Sequence, residues 1–322
     1  MIGIPNMLDM ILLDTEKLPH QQALDLQCML GKYGRLTCYE TTGVAQVIDR
    51  CIDKQIIIVN KNILCLEHFY GLPSLKYVIV IATGYDNVDV AAAKECGVAV
   101  SNVPDYSTLT VAQHAIALLL ELTNQVGYVG QIVKQGKWHS AGHKHTELAG
   151  LTMGVFGFGN IAKQVVKIAQ ALGMKVLVCS RDGSDAVYST DLKVQFVDKD
   201  DIFRHSDVIS LHCPINESTK NLINKKSLEI MKPNCLLINT ARGGLVNEDD
   251  LYEALANKQI KAAALDVVNC EPILPSNPLL TLNNCIFSPH NAWISKNSLE
   301  KWLNIIEYNL VGYIHNDLVN LI

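Results

Sequence analysis

A short apolar and β-branched run, Thr152-Met-Gly-Val-Phe156, leads directly into Gly157-Phe-Gly159-Asn-Ile-Ala162, and an amphipathic run follows from Lys163 to Leu172. The order is strand, tight turn, helix, which points the chain towards an α/β fold. Gly157 permits the turn, Gly159 lets the backbone come close to a pyrophosphate, and Ala162 is small enough for the helix to lie on the strand. The start of that helix also offers N–H groups and the positive end of its dipole to phosphate. The fingerprint begins near the middle of a 322-residue chain, so a segment of about domain size precedes it.

Composition supports two large buried cores: 49% of residues are hydrophobic and 18% charged. A net charge of -5 provides no surface for nucleic acid. No apolar run reaches the roughly 18 residues of a membrane span. Met1 to Asp14 has no basic start, and Asp9 and Asp14 interrupt it, so no signal peptide is expected. The ten cysteines form no Cys-x-x-Cys pair and read as reduced, mostly buried thiols of a cytoplasmic protein.

Before the turn, strands are expected at Met10–Leu13, Gln55–Val59 and Tyr77–Ala82, alternating with helices at Gln21–Tyr33, Thr42–Cys51 and Val90–Cys96. Val111–Leu122 reads as a long apolar helix. After the turn, strands are expected at Lys175–Cys179, Val208–Leu211, Cys235–Asn239, Ala262–Asp266 and Cys285–Phe287, and helices at Lys199–Arg204 and Glu248–Asn257. Asn247 with Asp250 gives the last a capping-box-like start. Apolar residues recur at helical spacing from Ser295 to Asn316. These continuous apolar strands suit parallel sheets covered on both faces.

Three segments place ionisable residues at strand ends, where ligands of such sheets bind. They are Ile238-Asn-Thr-Ala-Arg242-Gly-Gly244, Leu265-Asp266 with Glu271-Pro272, and Ser288-Pro-His290-Asn-Ala-Trp293. Arginine offers a planar fork to a carboxylate. Histidine can deliver a proton to a developing alkoxide, and a glutamate beside it stabilises the imidazolium. Together they suit carbonyl reduction with hydride from a nicotinamide.

Over nearly its whole length the chain resembles the D-isomer-specific 2-hydroxyacid dehydrogenases. The resemblance is carried by Gly157-Phe-Gly159-Asn-Ile-Ala162, Leu211-His-Cys-Pro214, Asn239-Thr-Ala-Arg242-Gly243, Asp266 with Glu271-Pro272, and Pro289-His290. It implies that Arg242 binds and polarises a 2-oxo acid, that His290 is the acid/base, and that Glu271 orients and charges His290. It places Gly157, Gly159, Asn160, Ile161, Ser180, Arg181, Cys213, Pro214, Thr219, Thr240, Ala241 and Thr110 around the cofactor, with Asp266 on the nicotinamide carboxamide. Ala82-Thr83-Gly84-Tyr85 resembles the loop whose backbone N–H groups at Thr83 and Gly84 hold the substrate carboxylate. With His290-Asn-Ala-Trp293, it is closest to the glycerate dehydrogenase (hydroxypyruvate reductase) branch. The implied architecture is two Rossmann-like, doubly wound parallel-sheet domains. A dinucleotide-binding domain, 104–292, is inserted into a discontinuous substrate domain, 1–103 and 293–322. The active site would be the cleft between them.

Two departures shape the expectations. NAD-binding members carry an acid about 20 residues past the glycine turn, on the ribose 2′-hydroxyl. Here Ser180-Arg181 stands at that place, which favours NADP over NAD, the alternative being that Asp182 takes the ribose. The stretch after Trp138 is short. In some relatives the tryptophan here enters the partner's site in a homodimer, which makes Trp138 a substrate-pocket candidate. His139, His143 and His145 fit a loop, and no metal is expected. The expected substrate is a small 2-oxo acid such as hydroxypyruvate or glyoxylate. Alternatives are a D-lactate dehydrogenase or broad 2-ketoacid reductase, and a dinucleotide-sensing, corepressor-like binding protein. The last is disfavoured because the chain shows no appended interaction segment.

Overall fold

The computed structural model describes residues 8–138, 142, 144–180 and 192–322. Contacts divide the chain into two compact units, Met1–Ser107 with Ser295–Ile322, and Thr108–Ile294. The first stretch contains β1 (Leu8–Leu12), α1 (His20–Leu30), β2 (Gly34–Cys38), α2 (Val47–Cys51), β3 (Ile56–Val59), α3 (Leu66–Gly71), β4 (Tyr77–Val80), α4 (Val90–Glu95) and β5 (Ala99–Ser101). All pairings are parallel, in the order β2-β1-β3-β4-β5. The two central strands, Ile-Ile-Ile-Val and Tyr-Val-Ile-Val, are buried at every position. Helices cover both faces of such a sheet, so its interior strands read as unbroken apolar runs.

The strand order reverses between β1 and β3, and Asp14 sits there, just past β1 and only 5% exposed. Its carboxylate accepts the backbone N–H groups of Asn60 at 2.9 Å, Lys61 at 2.5 Å and Asn62 at 3.0 Å. The carbonyls of this loop in turn hold the Asn87 side chain, with Nδ2 donating to Asn62 O at 2.8 Å.

The second unit runs through α5 (Thr108–Asn124), α6 (Val126–Lys134), β6 (Thr152–Phe156), α7 (Asn160–Ala171), β7 (Lys175–Cys179), β8 (Gln195–Phe196), α8 (Lys199–His205) and β9 (Val208–Leu211). It continues through α9 (Lys225–Glu229), β10 (Leu236–Asn239), α10 (Glu248–Ala256), β11 (Ala262–Leu265) and β12 (Cys285–Phe287). Its parallel sheet has the order β12-β11-β10-β9-β6-β7-β8. Counted from β6, this is the dinucleotide-binding order 3-2-1-4-5-6 with one strand added, and its reversal lies between β6 and β9. Residues of α5 and α7 form one core on the sheet, including Leu119, Ala162 and Val166. Ile202, Leu228 and Leu251 of α8, α9 and α10 form the core on the other face.

The final helix, α11 (Lys296–Ile314), belongs to the first unit. Its buried Trp302 donates from Nε1 to Ile81 O at 2.6 Å, and Tyr313 stacks on Tyr77 at 4.8 Å. Asn309 is fully buried. Its Nδ2 donates to Asn102 O at 2.8 Å, and its Oδ1 accepts from Asn320 Nδ2 at 2.7 Å.

Some expectations need correction. The helix expected over Thr42–Cys51 is a 3₁₀ turn, Val44–Gln46, followed by the short α2, because Gly43 starts the turn in extended conformation. β2, β5, β8, α3, α6 and α9 were not anticipated. β2 keeps no fully buried residue, and α6 buries none, so neither carries the periodic apolar signal of a core element. The thiols are all free, but only Cys51, Cys235 and Cys285 are buried; most cysteines lie at strand ends or in loops.

Two stability predictions follow from this packing. Asn309→Ala leaves the Asn102 carbonyl and the Asn320 amide without their partner, and should cost about 2–3 kcal/mol in urea unfolding. The second concerns His212, just past β9. Burial pushes its pKa down to about 4, and its Nε2 meets Ser210 Oγ at 2.8 Å. Between about pH 4 and 6.5 the unfolded chain therefore binds more protons than the folded one. This contribution is complete above that window and is lost as pH falls through it, by up to about 3 kcal/mol. Asp14, pushed upward by burial against its three N–H donors, works in the opposite sense. The comparison is therefore wild type against His212→Asn, and the variant should show the flatter acid limb.

Candidate active site

At the carboxyl edge of the second sheet, β6 ends in Gly157, whose φ of +88° favours glycine. A Cβ there would lie 2.6 Å from His212 O and 3.0 Å from Cys213 N, so the turn is pressed against the strand end beyond β9. Gly157 N–H also donates to Cys179 O at 2.8 Å, which ties the turn to β7. Gly159 is different. It is the N-cap of α7 and has no side-chain cap, and a Cβ there would meet nothing within 4 Å. The open face above Gly159 and the uncapped start of a 12-residue helix suit a pyrophosphate. Ala162 is fully buried between α7 and the sheet.

Arg242 follows β10 through a turn built by Asn239. The fully buried Asn239 accepts from Ala241 N–H at 3.0 Å and donates from Nδ2 to Arg242 O at 2.8 Å. Such an Asx turn fixes the backbone that carries the guanidinium. Thr240 Oγ1 is buried there without a hydrogen-bond partner. Thr219 uses its hydroxyl within its own turn, donating to Pro214 O at 2.7 Å and accepting from Asn216 N–H at 2.8 Å. Burial pushes the Cys213 thiol up to about 11.

His290 and Glu271 are brought together, with Nδ1 and Oε2 2.6 Å apart. His290 takes a left-handed φ of +50°, and Asp266 braces that turn. The Asp266 backbone carbonyl accepts His290 N–H at 2.8 Å. Its carboxylate accepts Asn291 N–H and Ala292 N–H, both at 3.1 Å, and Ser288 Oγ–H at 2.6 Å. His114 of α5 completes the cluster, with Nε2 2.8 Å from Ser288 Oγ. Burial pushes the Asp266 carboxyl up, but the hydrogen bonds from His114, Ser288 and Ala292 outweigh it and hold the group below the usual carboxylate range. Trp293 Nε1 donates to His290 O at 3.0 Å.

The sequence reading missed Asn239, Ser288 and His114 as supports of the site. Asn239 was detectable as an asparagine at a strand end before small residues. Ser288 and His114 act through Asp266, and no sequence spacing signals that contact.

The remaining candidates are placed as follows. Asn160 and Ile161 open α7, and Thr110 lies in the first turn of α5. Ser180 directly follows β7 and is half-buried; Arg181, like Asp182, His139 and His143, lies outside the described residues. Trp138 is 89% exposed. In the first unit, Thr83 Oγ1 donates to Val103 O at 2.9 Å, and Asn102 Nδ2 donates to Thr83 O at 2.7 Å, which clamps the loop before Gly84.

Comparison with known proteins identifies the family. Residues 116–292 match the family model of the D-isomer specific 2-hydroxyacid dehydrogenase NAD binding domain. A hydroxypyruvate reductase of Blautia hydrogenotrophica is 40% identical over 302 residues, spanning 91% of this chain and 93% of that protein. An acyclic imino acid reductase solved with NADPH and D-Arg superimposes with a TM-score of 0.85 at 30% identity, covering 97% of this chain and 99% of the other. D-lactate dehydrogenase from Aquifex aeolicus, complexed with NAD and lactic acid, gives 0.86 at 28% identity, covering 98% and 99%. With its glycine turn, its strand-end arginine and its paired histidine and glutamate, the chain belongs to the D-isomer specific 2-hydroxyacid dehydrogenases, NAD(P)-dependent oxidoreductases.

Proposed function

We propose that the protein reduces a small 2-oxo acid, hydroxypyruvate or glyoxylate, to the D-2-hydroxy acid, with NADPH preferred. The observation that carries the reaction is the 2.6 Å contact between His290 Nδ1 and Glu271 Oε2. It engages one ring nitrogen with a carboxylate and leaves Nε2 to hand a proton to the substrate oxygen. The nicotinamide, when bound, supplies the hydride. Arg242 grips the carboxylate and polarises the carbonyl, so charge developing on oxygen meets a fixed cation. Thr83 and Gly84 keep the carboxylate-holding role that the resemblance gives them, and Asp266 and Thr110 that of the nicotinamide side. The substrate assignment is supported by the hydroxypyruvate reductase at 40% identity. The second reading, D-lactate dehydrogenase or a broad 2-ketoacid reductase, is supported by the neighbour solved with lactic acid.

The cofactor preference rests on Ser180, where a carboxylate would repel a 2′-phosphate, and on the adjacent guanidinium of Arg181. A homodimer is supported by the exposed apolar surface on α6, where Val126 is 68% and Tyr128 56% exposed, and by Trp138, assigned to the partner's substrate pocket. The ten free cysteines suit a reducing, cytoplasmic setting.

His290→Gln should lower kcat at least about 100-fold while leaving the cofactor Kd unchanged, read by steady-state kinetics and cofactor fluorescence titration. Near-normal turnover would remove His290 from its role. A panel of 2-oxo acids with NADH and NADPH should show the higher kcat/KM with NADPH. Ser180→Asp should move the preference towards NADH by about tenfold or more, and a wild-type preference for NADH would overturn the assignment.

A further inference from the structure

Glu271 stands on a loop with little regular structure to hold it. No strand or helix runs from Asp266 to Asn277, and Asn269, Cys270 and Glu271 are exposed. Besides the bond that Asn269 Nδ2 donates to Val246 O at 3.2 Å, two contacts fix the segment. One is steric: a Cβ on Gly243 would overlap the Val268 carbonyl, so the turn after Arg242 lies directly on the loop. The other is a carboxylate. Glu248, the first residue of α10, accepts the Asn269 backbone N–H on Oε1 at 2.6 Å and the Asn277 Nδ2 on Oε2 at 2.7 Å. One side chain thus bridges two points of the excursion between β11 and β12. Glu271 lies two residues beyond Asn269. Its Oε1 accepts Val268 N–H at 3.3 Å, and its Oε2 meets His290.

Three acids occupy the first turn of α10, where the helix dipole alone favours a carboxylate modestly. Their partners differ. Asp250 accepts Lys225 N–H at 2.9 Å, and Asp249 is exposed. Of the three, Glu248 bonds the loop, and charge-assisted bonds of this length are the stronger kind. We infer that Glu248 is a positioning residue for proton transfer: by anchoring Asn269 and Asn277 it holds Glu271 within hydrogen-bond reach of His290. The inference rests on the proposed reaction for its kinetic consequence, but its geometric part stands apart from turnover.

Glu248→Ala removes both acceptors, and Glu248→Gln keeps one. The expected loss in kcat for 2-oxo acid reduction is about 30-fold for Ala and about threefold for Gln, with the cofactor Kd unchanged. Asp249→Asn is the control, with kcat unchanged. In a Glu271→Gln background, Glu248→Ala should lower kcat by less than about twofold further, because the contact it supports is already gone. An equal loss in both backgrounds, or no loss in either, overturns the inference. The His290 Nδ1–H resonance of ¹⁵N-histidine-labelled protein reads the same contact without turnover. It should be far downfield in wild type and Asp249→Asn, and move upfield or vanish in Glu248→Ala and, less so, in Glu248→Gln. If wild type reduces no 2-oxo acid and the resonance still responds, the proposed reaction fails and the anchor stands. A resonance unchanged in Glu248→Ala overturns the anchor.

Discussion

Two places where backbone meets backbone set the geometry of the second sheet's working edge. At Gly157 the turn leaving β6 touches His212 and Cys213, and at Gly243 the turn leaving β10 touches the Val268 carbonyl. Neither contact leaves room for a side chain. The first draws the strand ends on either side of the sheet's reversal against one glycine turn. The second presses the arginine turn onto the glutamate loop. Glycine turn, guanidinium and carboxylate are thus positioned by one well-packed framework, which small displacements would disturb together.

The charged groups are held with comparable economy. Asp266 spends its carboxylate on Ser288, Asn291 and Ala292, and so stabilises the left-handed turn that presents His290. His114 reaches the same cluster from α5, a helix that otherwise packs as core. A single buried anion therefore connects the sheet, the first helix of the unit and the turn that carries His290. Those hydrogen bonds hold its pKa below the usual carboxylate range despite burial.

Much of this was legible in the sequence, for physical reasons that vary by element. β3, β4, β9 and β10 are central strands of parallel sheets, buried on both faces, and their unbroken apolar runs could hardly be read otherwise. The N-cap at Asn247 was readable because its partner, Asp250 N–H, is three residues away. β2 was not, since its Gly-Arg-Leu-Thr-Cys is an edge strand with no fully buried position. β8 has two residues and α6 buries none, so pattern alone cannot reveal them. Within the site, Arg242, Glu271 and His290 were visible by residue type and strand-end position. Asn239, Ser288 and Glu248 were not singled out, because they act through backbone atoms or through other side chains. Sequence marks ionisable groups at strand ends far better than the groups that hold them in place.

The carboxylate of Asp14 gives the first unit a character of its own. In sheets of this order the crevice where the strand order turns back is the natural seat of a small anion, because loop N–H groups converge there. In this unit the chain supplies that anion itself, on the N–H groups of Asn60, Lys61 and Asn62. A receptor-like crevice has become a keystone: the loop keeps one shape without waiting for a guest, and the Asn87 side chain that leans on its carbonyls inherits that constancy. Of two sheets of related design, this one locks its crevice with its own charge.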